Sequence, residues 1–191
     1  MVLAGILAAG SPALAGCSVT AGDVGIVPAC DQEGGAPAQS VVLMAQAVPT
    51  TPVLPCVRLM PTGWAFADLD VRNGYAMFTL ASDRDGRRAV TVVLTTTCDV
   101  TGATRVPSDQ PGLTRYERVT RVTEGYRGAR YYVAAGGCVT YQFDLQGVSR
   151  AAPVTEAALA LDFVTRDAVR EKVRRDSGGR LELDPPTGDD R

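Results

Sequence analysis

Between Trp64 and Leu145 apolar and polar residues alternate, and turn residues repeatedly interrupt them. This period of two is the feature that most restricts the fold, because alternating side chains point to opposite faces of an extended strand. Trp64 to Val71 and Tyr75 to Leu80 flank Arg72-Asn73-Gly74, and Asn-Gly between apolar runs is a strong hairpin signal. Leu69 and Val71 then face one side, Asp68 and Asp70 the other. Asp83-Arg84-Asp85-Gly86 turns the chain into Ala89 to Cys98, where Val90, Val92 and Leu94 share a face. Thr114 to Thr123 and Ala129 to Ala134 read as a hairpin over 124–128, and Cys138 to Leu145 returns with Val139, Tyr141, Phe143 and Leu145 on one side. Ahead of these, Ser40 to Val48 and Cys56 to Met60 read as shorter strands, stopped by Pro49-Thr-Thr-Pro52 and Pro61-Thr-Gly63.

After Arg150 the period changes. Val154, Ala157, Ala158 and Leu161 stand at i, i+3, i+4 and i+7, and Ala168, Val169 and Val173 carry a second helical stripe behind Thr165, a predicted N-cap. Gly178-Gly179 stops it, Leu181-Glu182-Leu183 suggests an added edge strand, and 185–191 reads as a disordered polar tail. The expected fold class is mainly β: an antiparallel sheet or sandwich with two short C-terminal helices packed on it, forming one domain over 41–184. A hydrophobic content of 46% with 21% charged residues is ample for such a core and too apolar for a wholly disordered chain.

Residues 2–15 are uncharged, small and apolar, too short to span a bilayer but the right length for the core of a signal peptide, taken as 1–16. The run closes on Leu14-Ala15-Gly16-Cys17, which resembles the lipobox of bacterial lipoproteins. That resemblance covers the first 17 residues and concerns export alone. It implies that the Cys17 thiol receives a diacylglyceryl group, that the leader is cut ahead of it, and that the protein is held on the extracytoplasmic face of the cell membrane. Two acyl chains make a stable anchor where one holds marginally. Ala13-Leu14-Ala15 also suits ordinary signal peptidase, which would give a secreted protein, and an apolar core helix is a third reading. Export cores normally follow a basic segment, so a start codon upstream of Met1 supplying Arg or Lys is expected. Residues 17–40, rich in Gly, Ala and Pro, read as the lipidated cysteine and a flexible tether whose second half Cys30 would stitch down.

Lipidation of Cys17 leaves four cysteines, an even number suited to an oxidising exterior. Of the three connectivities, Cys30 with Cys56 and Cys98 with Cys138 are favoured, because each pair joins neighbours in order and the second lies at the ends of two strand-like runs. No two cysteines have zinc-knuckle spacing.

The chain has no histidine, which excludes Ser-His-Asp, Cys-His and His-rich zinc chemistry. A net charge of −2 gives no overall field to gather nucleic acid, and no cofactor or metal is implied. Lys172 is the only lysine among 19 basic residues, a skew typical of GC-rich coding, so arginine abundance alone says little. Asp83 to Gly86 lacks the later ligands of a calcium loop and reads as a polar turn. Guanidinium forks interleaved with aromatics at Arg115, Tyr116, Arg118, Arg121, Arg130 and Tyr132 suit the phosphate or sugar-acid groups of an anionic envelope polymer, though alternation sets Arg118 opposite Arg115 and Arg121. The favoured reading is a non-catalytic binding or accessory module of the cell envelope, its partners the membrane and either such a polymer or an envelope protein. The alternative is an envelope hydrolase using Asp68, Asp70 or Asp99, which requires a concave site where at least two of these carboxylates meet.

Overall fold

Side chains that alternate in sequence fold here into a broad antiparallel sheet with one covered and one open face. The computed structural model describes residues 27–31, 35–146 and 151–184. In chain order its elements are α1 (Gln39–Ala47), β1 (Val53–Val57), β2 (Trp64–Arg72), β3 (Tyr75–Ser82), β4 (Gly86–Thr95), β5 (Thr104–Val106), β6 (Thr114–Arg121), β7 (Tyr126–Ala134), β8 (Gly137–Leu145), α2 (Ala151–Ala160), β9 (Leu161–Thr165) and α3 (Arg166–Asp176). The fold is mainly β: β2-β3-β4-β8-β7-β6-β5 form a seven-stranded antiparallel sheet, and β1 pairs with β9 in a second, two-stranded one.

Register explains the covered face. Leu69, Phe78, Val92 and Tyr141 lie opposite one another across four strands, and Val71, Ala76, Leu94 and Val139 form the next row. Phe78, Leu80, Val90, Val92, Leu94 and Val139 are almost wholly buried. Over this face α1 packs on β2 and β3, while the β1–β9 pair lies over β4 and β8. Phe163 of β9 meets Tyr132 edge-on at 5.0 Å and stacks on Tyr141 at 6.0 Å. Trp64 is buried, its Nε1 donating to Glu156 of α2 at 3.1 Å, and Phe66 packs beside the core.

Ser40 to Val48 is not a strand. It forms α1, burying Val41, Val42, Met44, Ala45, Ala47 and Val48 and leaving Leu43 half exposed. A nearly continuous apolar run carries no period that separates strand from helix. Here Val41, Met44, Ala45 and Val48 stand at helical spacing, and Pro49 follows the last turn. The C-terminal carbonyls of α1 are satisfied from outside: Gly74 N donates to Ala47 O at 2.8 Å, and the buried guanidinium of Arg166 donates to Ala45 O at 2.9 Å.

Three further expectations shift. Leu161 does not extend the first C-terminal helix, because Leu161-Asp-Phe-Val-Thr165 pairs residue by residue with β1 as β9. Its branched and aromatic side chains suit that half-buried ladder. Thr165 then caps α3, its hydroxyl accepting from Ala168 N at 3.2 Å. Leu181 to Leu183 makes no strand; Leu183 is buried and Leu181 exposed, with Arg166 donating to Asp184 O at 2.7 Å. The packed domain also reaches back earlier than 41. Cys30 N and Val57 N exchange hydrogen bonds with Val57 O and Pro28 O, and Ala38 is fully buried. Part of the expected tether therefore belongs to the domain.

Disulfides join Cys30 to Cys56 and Cys98 to Cys138, with Cα separations of 4.9 and 5.7 Å. The second ties the loop after β4 to the start of β8.

Candidate functional site

Among the described residues, no element covers the opposite face of the seven-stranded sheet. Its side chains are those out of phase with the core, and cross-strand register arranges them in rows. One row runs Asp70, Met77, Val93, Thr140, Tyr131, Tyr116, Arg105 from edge to edge, and its neighbour runs Asp68, Thr79, Thr91, Gln142, Ala129, Arg118. Both rows begin acidic on β2 and end basic on β6 or β5.

Over β4, β8, β7 and β6 this face is hollowed into an open concavity of about 600 Å³. That volume falls in the range of small-ligand sites. Thr91, Thr140 and Gln142 supply hydroxyls and an amide on its floor, and Arg88, Arg118 and Arg127 stand around it with Asp99 and Asp144. Arg118 crosses the ring of Tyr131 at 5.6 Å and donates Nη1 to Thr101 O at 3.0 Å, a neutral acceptor. The loop that offers this carbonyl is fastened at Cys98 by the disulfide to Cys138. Asp99 receives Thr101 N at 2.8 Å. Hydrogen bonds from the Thr101 hydroxyl and backbone, with the nearby Arg118 charge, hold the Asp99 carboxyl below its ordinary range, so at neutral pH it is a fixed negative charge. Asp144 is shared by Arg127 at 2.6 Å and Arg121 at 3.5 Å.

Strict alternation would put Arg121 with Arg115, away from Arg118. A β-bulge between Val119 and Arg121 shifts the register, so Arg121 pairs with Arg127 and joins the open face. The six arginines and tyrosines singled out in the sequence therefore divide. Tyr116, Arg118 and Arg121 belong to the open face, whereas Arg115, Arg130 and Tyr132 lie on the covered one.

The second group forms a self-satisfied network. Glu117 accepts from Arg115 Nη2 and, at 2.8 Å, from Arg130 Nε; Arg115 also reaches Asp109 at 3.2 Å, and Tyr132 Oη donates to Asp109 at 3.0 Å. Burial alone raises the Glu117 carboxyl, but the hydrogen bonds and charges of Arg115 and Arg130 outweigh it and hold the group below its ordinary value. Burial pushes the Tyr132 phenol up to about 12, with Asp109 adding to the rise. Each of these groups thus has its partner within the network.

Asp68 and Asp70 line the β2 edge and do not border the concavity that Asp99 borders. Asp85 of the β3–β4 turn accepts from Ser82 Oγ and Gln146 N, both at 3.0 Å, as a turn residue does. Among the described residues no group of three or more Cys, Asp or Glu is placed to hold a metal ion. Cys17 lies outside the described residues. Arg88 and the floor residues Thr91, Thr140 and Gln142 were not singled out from sequence. Only the period of two, read on its polar side, points to most of them.

No family model matches this chain, and no curated protein does. A solved structure from Bacteroides thetaiotaomicron VPI-5482 is similar over 62% of this chain and 48% of that one, at 10% identity and a TM-score of 0.30, so this chain spans about half the length of the structure it matches.

Proposed function

We propose that this protein is an extracytoplasmic, lipid-anchored, non-catalytic module that binds an envelope ligand on the open face of its seven-stranded sheet. The polar concavity on that face carries the reading. A sheet face lined by threonine hydroxyls, an exposed amide and unevenly paired arginines is a surface for a polar ligand, not for a missing apolar layer. The two disulfides support export, since such bonds persist in oxidising compartments. Against hydrolysis, the acids of the open face are separated or engaged: Asp68 and Asp70 sit on β2, Asp99 is held ionised, and Asp144 is bound by two guanidiniums. A glycosidase-like pair needs one carboxyl kept protonated beside an ionised partner.

Two measurements test this. If Cys17 is lipidated, envelope-derived protein partitions into detergent and its intact mass carries the diacylglyceryl group, while Cys17→Ser becomes soluble or accumulates as precursor. Lipid-free protein released at Gly16 would overturn the anchor. For the face, Gln142→Trp fills the concavity from an exposed position. It should abolish co-sedimentation with purified envelope polymer without shifting the melting temperature; undiminished co-sedimentation would show that binding uses another surface.

A further inference from the structure

Building on that reading, we infer that the ligand is a linear acidic saccharide of the uronate type, its carboxylates held by Arg88 and Arg118 and its hydroxyls by Thr91, Thr140 and Gln142. Three guanidiniums against two carboxylates leave the concavity positive within a chain whose net charge is −2. The surplus is available. Among the described residues no carboxylate pairs with Arg88, and Arg118 donates to a carbonyl, so both retain donors for an oxyanion. Arg127 has its partner in Asp144.

The lining also argues against a neutral sugar. Uncharged saccharides bind well where an open aromatic face meets their C–H surface, but Tyr131 is 4% exposed and Arg118 crosses its ring. What remains on offer is charge and hydrogen bonding. Short branched threonine side chains lose little rotamer freedom on binding, which favours them as a hydroxyl-reading floor. Density of charge separates a uronate from a phosphate polymer. Asp99 and Asp144 remain within the same hollow and repel closely spaced or doubly charged groups, while a chain with one carboxylate per sugar can set its charges against the arginines and its hydroxyls against the acids. The hollow is open rather than enclosed, so a chain can continue beyond it. The site is also prearranged, because the Cys98–Cys138 disulfide fixes the loop whose Thr101 carbonyl positions Arg118.

The probe is tetragalacturonate, titrated calorimetrically into oxidised full-length protein carrying Cys17→Ser, beside a neutral glucose tetramer and inorganic polyphosphate. Binding of the uronate should weaken as salt rises from roughly 0.02 to 0.3 M. Arg88→Ala and Arg118→Ala should each weaken it about tenfold or more, the scale of one lost charge-assisted hydrogen bond. Arg87→Ala, next to the site but outside it, should have little effect, and thermal melts verify folding of each variant. Equal binding of the neutral tetramer, or tighter binding of polyphosphate, would overturn the uronate assignment. Absence of all three interactions would overturn it too, while loss of envelope binding in Gln142→Trp would still uphold the face as a binding surface. Envelope binding that survives Gln142→Trp would remove the face and the uronate together.

Discussion

Glu117 shows how a single carboxylate can organise one side of a sheet. It is held between Arg115 and Arg130, whose side chains are 17% and 12% exposed, so losing its charge leaves two nearly buried guanidiniums facing a neutral amide. Glu117→Gln should lower stability at neutral pH by about 2 kcal/mol, below the cost of breaking a fully buried pair because Glu117 itself remains partly in water. The pH dependence has a definite sign. The folded carboxyl titrates below its unfolded value, so its contribution is complete above the ordinary glutamate range and is lost as pH falls through the folded value. Urea denaturation across acid pH should therefore show wild type and variant converging at low pH; a constant gap would reject this origin. Alternation in the sequence already separates Arg115 from Arg118. It misplaces Arg121, because a bulge adds one residue to the strand without any Gly or Pro to mark it, and neither Thr120 nor Arg121 advertises the shift.

At the scale of elements, Arg166 joins three pieces of chain. From the first turn of α3 its guanidinium reaches the last turn of α1 through Ala45 O and the segment after the helix through Asp184 O. Arg166→Met keeps much of the volume but leaves those carbonyls without donors. It should cost about 3 kcal/mol, read as a lower urea midpoint. Arg166→Lys should recover only part, since one ammonium cannot reproduce a planar fork. A neutral Arg166→Met would mean that water replaces the guanidinium and that α1 does not depend on it. The difficulty of reading α1 from sequence has the same root. A short apolar segment becomes helix or strand according to what caps and covers it, and its C-terminal partners come from Gly74 and Arg166, far along the chain. β9 was hidden likewise, since its pairing with β1 joins residues more than a hundred positions apart. By contrast, the β2–β3 hairpin was legible because its turn is local: Gly74 takes φ 76°, and Arg72 pairs with Tyr75.

In the whole molecule, the covered face of the sheet was legible from the period of two, and pairing of neighbouring cysteines gives the disulfides observed. The open face was harder to recognise as a site, because its polar residues are individually ordinary and acquire meaning only when register brings four strands side by side. The two disulfides close segments of 26 and 40 residues by sequence separation. In the chain-entropy model, removing both should lower stability by about 7 kcal/mol, enough to unfold many domains of this size. Reduction during urea titration is expected to shift the midpoint sharply downward, and an unchanged midpoint would deny the bonds a stabilising role. The first disulfide has a mechanical consequence as well. Tension applied to the chain upstream of Val27 meets Cys30 almost at once and passes through a covalent bond to Cys56, inside the ladder of β1 with β9. The oxidised domain therefore receives a pull at its interior, where five residue pairs share the load, while the reduced domain would let its leading segment peel away first.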